Sequence, residues 1–168
     1  MNLYIIRHAI AVDEGTPGYE IDSERPLTDK GRKKMRQIAR ALHSLGVEFD
    51  LILSSPYLRA QQTADILADV FKLKKKIVCT DSLLPLEKPE PVVGEINETY
   101  SVNSLAVVGH EPHLSALIAF LTTENSKLDL TLKKGGVCYL SADDLHHHHR
   151  ATLEWLLTPG LLMEIGEK

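Results

Sequence analysis

Short apolar segments alternate along the chain with longer segments in which apolar residues recur every three or four positions. The short segments are rich in branched residues, as buried strands are, and cover residues 2–7, 51–53, 77–79, 104–108, 137–140 and 151–157. The longer segments have helical periodicity and cover residues 28–46, 60–71 and 112–121. This alternation predicts a layered α/β fold.

Local signals mark where the predicted helices begin and end. Thr28 is a plausible N-cap for the first helix, and Gly46 ends it. The basic run at residues 72–76 ends the second helix, where positive charge suits the helix dipole. We interpret this run as a solvated helix end rather than a nucleic-acid patch, because no aromatic residues interleave with it. Residues 81–103 hold three prolines and predict a loop with at most one short helix at 91–96.

Composition limits the classes of protein to consider. The chain has 168 residues, 43% hydrophobic and 25% charged, which fits one globular domain spanning residues 1–168. Nineteen basic and 23 acidic residues leave a net charge of −4, so no overall positive field favours nucleic acid or an anionic membrane. No apolar stretch approaches the ~20 residues of a membrane span, and the N-terminus becomes charged too soon for a signal peptide. We therefore expect a cytoplasmic protein, and a monomer by default.

Two groups of residues resemble metal sites only superficially. Cys79 and Cys138 lie in apolar strand-like segments without close ligand spacing, which predicts buried free thiols in a reducing compartment. The run His146, His147, His148 and His149 lies between two predicted strands. Adjacent imidazoles cannot all converge on one ion, so we interpret the run as a solvated turn and expect no metal.

Polar residues suited to phosphate chemistry follow three of the predicted strands. They are Arg7 and His8 after the first strand, Ser54, Ser55 and Arg59 after the second, and Gly109 and His110 after the fourth. Arginine presents a planar fork of donors that matches phosphate oxygens, and neutral imidazole can attack phosphorus near pH 7. Each residue alone has an ordinary structural explanation. Because ligands of open α/β sheets bind at the carboxyl ends of strands, their joint placement predicts a phosphate site.

The motifs around these residues resemble the histidine phosphatase superfamily. They are Arg7-His8, Arg25-Pro26-Leu27-Thr28 with Gly31, Ser54-Ser55-Pro56 with Arg59-Ala60 and Gln62-Thr63-Ala64, and Val108-Gly109-His110-Glu111-Pro112. Within this superfamily, the residues of these motifs and the small size of the chain are most similar to those of the SixA-type phosphohistidine phosphatases. The resemblance implies a single-domain, phosphoglycerate mutase-like α/β/α fold of three layers with a mostly parallel central sheet. One departure is Ala9, where the family usually has glycine, and this substitution predicts a slightly altered loop geometry.

The resemblance also implies roles for individual residues. His8 would be the nucleophile that carries a transient phosphoryl group, while Arg7, Arg59 and His110 would surround the phosphate, with no metal or cofactor needed. Arg25 either reaches the phosphate or pairs with Asp22 or Glu24 at the surface. Ser54 and Ser55 either donate to the site or cap the following helix, and we expect capping.

The general acid is the least certain part of the predicted site. Glu87 is a candidate by position, Asp81, Glu90 and Glu111 are rivals, and a solvated loop carboxylate is the ordinary explanation for each. A phosphohistidine substrate would relax the need for an acid, because imidazole leaves more easily than an alkoxide.

Three functions remain open at this point. The favoured one is removal of phosphate from histidine on a phosphotransfer protein of two-component signalling. Because the chain has few sizeable loops, we expect an open pocket that could admit a side chain of another folded protein. The alternatives are a phosphatase or mutase acting on small phosphate esters, and a catalytically silent phosphate-binding module.

Overall fold

A six-stranded sheet forms the centre of the computed structural model, which describes residues 1–123, 128–143, 145 and 151–166. The strands are β1 (Asn2–Arg7), β2 (Leu51–Ser54), β3 (Ile77–Cys79), β4 (Ser104–Gly109), β5 (Val137–Ser141) and β6 (Thr152–Leu157). The helices are α1 (Asp29–Ser44), α2 (Leu58–Phe71), α3 (Pro89–Thr99), α4 (His113–Thr122) and α5 (Pro159–Gly166).

The sheet is mostly parallel, as predicted. The strand order is β3-β2-β4-β1-β5-β6, and the first four strands in this order pair in parallel. β5 runs in the direction opposite to the other strands of this sheet, and it pairs antiparallel with both β1 and β6. Consequently the carboxyl ends of β1, β2 and β4 and the beginning of β5 meet at one edge of the sheet.

Helices cover both faces of the sheet and create two apolar cores. Along β1 the side chains alternate, so that Tyr4 and Ile6 belong to one core and Leu3 and Ile5 to the other. The first core contains residues of α1, α2 and α5, and the second contains residues of α3 and α4. These two helical layers on a central sheet confirm the predicted three-layer α/β/α fold.

The predicted helix boundaries agree closely with the structure. The Thr28 hydroxyl accepts from the Gly31 N–H at 3.0 Å and caps α1, and Gly46 follows that helix with φ +77°. Gly31 also permits a close approach, because a β-carbon there would lie 2.0 Å from the Ile10 carbonyl oxygen. α1 therefore packs directly against the segment that follows the first strand.

Two helices differ from the prediction. α3 extends over 11 residues from Pro89, instead of the short helix expected at 91–96. Proline is well tolerated in the first turn of a helix, because an N–H at that position would have no partner within the helix. Val92, Val93 and Ile96 are the buried residues of α3. α5 was not predicted at all, since its eight residues are too few for a clear periodicity.

The cysteine prediction is only half right. Cys138 is buried in central strand β5, but Cys79 is exposed at the end of edge strand β3. The apolar neighbours of Cys79 in the sequence therefore did not indicate its own burial. The run at residues 146–149 lies outside the described residues. Of the helices in the described part of the chain, none combines the length and hydropathy that a bilayer span requires.

Candidate active site

A polar cleft of about 320 Å³ lies at the edge where the strands β1, β2 and β4 end. Its lining combines basic, imidazole and carboxylate side chains: Arg7, Arg25, Arg59, Lys134, His8, His110, Asp13, Glu14 and Glu111. All five residues predicted to hold or attack phosphate are therefore in one cleft. The convergence follows from the parallel topology, which aligns strand ends that are up to a hundred residues apart in the sequence.

His8 is held in one tautomer by the main chain. The residue is 6% exposed, and its Nδ1 lies 2.8 Å from the Ala9 carbonyl oxygen. Because a carbonyl can only accept, Nδ1 carries the proton and Nε2 keeps its lone pair. Burial lowers the pKa of His8 to about 3, and the charges of Arg59, Arg7 and Lys134 act in the same direction. The ring is thus neutral near pH 7, which nucleophilic attack requires.

Ala9 fits this segment without strain. Its φ is negative, since Lys72 is the one non-glycine residue of the described chain with positive φ. The Ala9 N–H donates to Thr63 Oγ1 at 3.1 Å, and that hydroxyl donates to the Arg59 carbonyl oxygen at 2.7 Å. Hence the residue after His8 is tied to α2, and a glycine is not needed there for backbone conformation.

His110 lies beside His8 and is held by a side chain instead. The residue is 2% exposed, and its ring centroid is 5.0 Å from that of His8. Nε2 is 2.8 Å from Ser55 Oγ, and the buried Nδ1 has no hydrogen-bond partner among the described residues. Burial lowers the pKa of His110 to about 2, with His8 and Arg59 adding to the effect. This ring is also neutral near pH 7.

The expectation that Ser54 and Ser55 cap the following helix is wrong. The N-cap of α2 is Tyr57, without a side-chain cap bond. Ser54 Oγ donates to the Ser55 carbonyl oxygen, while Ser55 Oγ accepts from the Tyr57 N–H at 3.3 Å. With one lone pair occupied in this way, the Ser55 hydroxyl can donate its proton to Nε2 of His110. That donation leaves the His110 proton on Nδ1.

Asp22 connects the two arginines Arg25 and Arg59. Arg59 is 4% exposed, and its Nη1 and Nη2 donate to the Asp22 carbonyl oxygen at 2.6 Å and to Oδ2 at 3.0 Å. Arg25 donates from Nε and Nη2 to Oδ1 of the same carboxylate. Burial raises the pKa of Asp22, but hydrogen bonds and charges from both arginines outweigh burial and lower the pKa below its usual value. Sequence reasoning considered Asp22 only as a surface partner of Arg25.

The predicted pairing of Arg25 with Asp22 is confirmed, and a contact of Arg25 with phosphate stays a prediction. Its side chain lines the cleft, and at the same time it pairs with Asp22 and donates from Nη1 to the Val12 carbonyl oxygen at 2.6 Å. The pairing fixes the guanidinium at the cleft instead of withdrawing it to the surface. Arg25 therefore adds positive charge to the cleft in a fixed position.

Lys134 also lines the cleft and was missed by sequence reasoning. It lies three residues before the first residue of β5, which pairs antiparallel with β1. The beginning of an antiparallel neighbour lies beside the end of the strand that it pairs with. That topological relation, had β5 been assigned its direction, was the signal that could have found Lys134.

The carboxylates divide clearly with respect to the cleft. Glu87, the predicted acid, does not line it, and neither do Asp81 and Glu90. Glu111 does line the cleft, and its Oε1 is buried without a hydrogen-bond partner among the described residues. Of the four candidate acids, Glu111 is the one that the fold brings to the other site residues.

The chemistry of this lining suits an oxyanion. Four cations and two neutral imidazoles surround one polar cleft, so a bound phosphoryl group would meet both positive charge and neutral donors. Within the described ranges, no three His, Cys, Asp or Glu side chains are clustered as ligands of one metal ion.

Comparison with known proteins identifies the family. Residues 3–83 match the family model of the histidine phosphatase superfamily (branch 1). An uncharacterised protein of Picosynechococcus sp. (strain ATCC 27264 / PCC 7002 / PR-6) is 35% identical over 82% of this chain and 82% of its own length. The chain belongs to the histidine phosphatase superfamily.

Named relatives of the same family indicate the kind of enzyme. Phosphohistidine phosphatase SixA of Escherichia coli (strain K12) is 27% identical over 95% of this chain and 94% of its own length. The structure of the protein histidine phosphatase SixA complexed with tungstate matches with a TM-score of 0.83 and 27% identity, covering 96% of this chain and 99% of that one. The family and these relatives identify the chain as a phosphatase.

Proposed function

We propose that this enzyme removes phosphate from a phosphorylated histidine on a phosphotransfer protein of two-component signalling, through a phosphoryl group carried transiently on His8. One observation carries the proposal: His8 is buried and neutral, with Nδ1 bonded to the Ala9 carbonyl oxygen and Nε2 without a hydrogen-bond partner among the described residues, in a cleft lined by arginines. A neutral imidazole beside cations is suited to accept a phosphoryl group.

The reaction would proceed in two steps. His8 Nε2 attacks phosphorus in a substrate whose second ring nitrogen is protonated, the P–N bond breaks, and its electron pair stays on the ring nitrogen, so that neutral imidazole leaves. Water then attacks the phosphorylated His8, which releases inorganic phosphate and restores the neutral ring. In both steps Arg7, Arg59 and the Nδ1–H of His110 would stabilise the negative charge on the phosphoryl oxygens.

Phosphohistidine is the favoured substrate for two reasons. Imidazole is a better leaving group than an alkoxide, so P–N cleavage depends less on a strong general acid, and the predicted acid Glu87 does not line the cleft although its rival Glu111 does. The name of the relative SixA, phosphohistidine phosphatase, points to the same chemistry. The enzyme would act in the cytoplasm as a monomer formed by residues 1–168. Glu87 remains a predicted general acid, although it does not line the cleft.

Glu111 supports a second candidate function. A carboxylate in the cleft with an unpartnered buried oxygen could protonate an alkoxide, which phosphate esters need. Small phosphate esters would then be substrates. A silent phosphate-binding module is less well supported, because His8 and the three arginines are all present in the cleft.

A substrate comparison tests the proposal. Phosphate release would be measured from a histidine-phosphorylated phosphotransfer protein, from phosphoserine and from p-nitrophenyl phosphate, with His8→Asn as the control variant. We expect kcat/KM to be highest for the phosphorylated protein and labelled phosphate to be trapped on His8 after rapid acid-free quenching. A preference for the esters would transfer support to the second candidate. Absence of label on an otherwise folded protein would exclude the covalent route.

A further inference from the structure

A turn of glycine and lysine residues is hydrogen-bonded to the backbone of the proposed nucleophile. The Gly135 N–H donates to the carbonyl oxygens of Arg7 at 3.0 Å and His8 at 3.2 Å, and the Arg7 N–H donates to the Gly136 carbonyl oxygen at 3.2 Å. Arg7 Nη1 donates to the Leu132 carbonyl oxygen at 2.9 Å. The segment 132–136 is therefore fixed to the end of β1 at both sides of the turn.

The two glycines make this close pairing possible. Gly135 has φ +80°, and a β-carbon there would lie 3.0 Å from Ile38 Cδ1. A β-carbon on Gly136 would lie 2.8 Å from the Lys133 carbonyl oxygen. Other residues would be strained at the first position and crowded at the second. The sequence Lys-Lys-Gly-Gly thus presents its second lysine at a defined place beside the nucleophile.

Lys134 differs from the other cations of the cleft in its bonding. Arg25 and Arg59 donate to Asp22, and Arg7 donates to a main-chain oxygen. Lys134 forms no hydrogen bond or ion pair within the part of the chain that the structure describes. Its charge nevertheless acts on His8, whose pKa it helps to lower. An exposed ammonium on a flexible stem, close to His8 and without an internal partner, is free to meet an incoming anion.

We propose that Lys134 is a further phosphate-binding residue of this active site, which contacts a nonbridging oxygen of the phosphoryl group as it passes to and from His8. The inference rests on the proposed phosphoryl-transfer function of the cleft, but not on the identity of the substrate. The lysine binds and stabilises charge, and no proton leaves it. The charge on the phosphoryl oxygens is present in both the ground state and the transition state. Loss of the Lys134 ammonium should therefore weaken phosphate binding and lower kcat/KM together.

The adjacent lysine provides a matched control. Lys133 and Lys134 are both exposed residues of the same turn, but only Lys134 lines the cleft. Lys133→Met and Lys134→Met remove the same charge at nearly the same position in the chain. Any difference between the variants therefore reports contact with the phosphoryl group rather than the general field of the protein.

The experiment measures inorganic phosphate binding by calorimetry and kcat/KM with a phosphorylated substrate for both variants. We expect Lys134→Met to weaken phosphate binding about 10-fold, as the loss of a charge-assisted hydrogen bond does, and Lys133→Met to change it less than about 2-fold. Equal effects of the two variants, or no effect of either, would overturn the inference. Thermal unfolding of both variants shows whether each is folded.

The phosphate probe also separates this inference from the proposed function. If the wild type binds phosphate in a Lys134-dependent way but does not hydrolyse phosphohistidine, the assigned contact stands and the substrate assignment fails. If the wild type hydrolyses phosphohistidine and Lys134→Met does so with unchanged kcat/KM, the substrate assignment stands and the role of Lys134 is wrong.

Discussion

The two halves of the cleft are built in different ways. The imidazole half consists of His8 and His110, which are buried, neutral and held by the Ala9 carbonyl oxygen and the Ser55 hydroxyl. The guanidinium half consists of Arg25 and Arg59, which are charged and held together by the carboxylate of Asp22. In the proposed reaction the imidazole half would supply uncharged groups that attack and donate, and the guanidinium half would supply the positive charge.

This difference shows why the two tasks are not given to the same residues. A histidine placed against a carboxylate would gain a proton and lose its nucleophilic lone pair. Asp22 lies against the arginines, which stay charged in any surroundings at working pH. Neutral partners are thus reserved for the imidazoles and the anionic partner for the guanidiniums. Four changes would break or sharpen this comparison.

The largest effect is expected from His8→Asn, which removes the proposed nucleophile and leaves the guanidinium half unchanged. We expect kcat to fall by about 10³-fold or more, because no other group can carry the phosphoryl intermediate. Inorganic phosphate should still bind, since Arg59 and Arg25 remain. Calorimetry and steady-state kinetics measure the two quantities. Retention of a tenth of the wild-type kcat would rule out His8 as the nucleophile.

Asp22→Asn tests the guanidinium half. Arg59 loses the charged acceptor at its Nη2 and Arg25 loses its ion pair, so the geometry that receives phosphate becomes looser. We expect kcat to fall about 10-fold, as small losses of alignment do. Glu24→Gln is the control, because it removes an exposed carboxylate of the same turn that forms no ion pair with either arginine in the described part of the chain. Equal kinetics for the two variants would show that Asp22 does not orient the arginines.

Ser55→Ala tests how His110 is held. Without the hydroxyl, Nε2 of His110 loses its partner, and the ring is no longer biased toward a proton on Nδ1. We expect kcat to fall about 5-fold, which corresponds to one neutral hydrogen bond. Nitrogen chemical shifts of the His110 ring give a second, more direct readout. They should report the Nδ1–H tautomer in the wild type and a mixture in the variant, and unchanged shifts would exclude this role for Ser55.

A separate effect, on stability and not on kcat, concerns pH. The pKa values of His8 and His110 are lowered to about 3 and about 2 from 6.5, so below pH 6.5 the unfolded chain binds protons that the folded protein does not. The free energy of unfolding should therefore decrease as pH falls from 6.5 toward 3. Above pH 6.5 both histidines are neutral in the folded and the unfolded chain, so they cause no such decrease there. Urea unfolding at pH 7 and pH 4.5 measures the decrease. In His8→Asn, about one proton fewer should be taken up on unfolding, so the free energy of unfolding should depend less steeply on pH. An identical pH dependence in that variant would contradict the neutral, buried ring of His8.

Much of the fold could be predicted from local patterns. Apolar segments located the six strands, and Thr28 and Gly46 marked the ends of α1, because strand burial and helix capping depend on residues near each other in the chain. α5 was missed and α3 was underestimated, since both are short helices whose stability comes from packing against the cores.

The sequence by itself determined which residue types follow the ends of the parallel strands, and hence that Arg7, His8, Arg59 and His110 would share one site. Only the tertiary structure decided that Asp22 joins two arginines, that Ser55 holds His110, and that Glu111 and Lys134 line the cleft while Glu87 does not. The physical reason is that parallel topology aligns strand ends by rule, whereas contacts made by loops depend on distances between segments that no local pattern records.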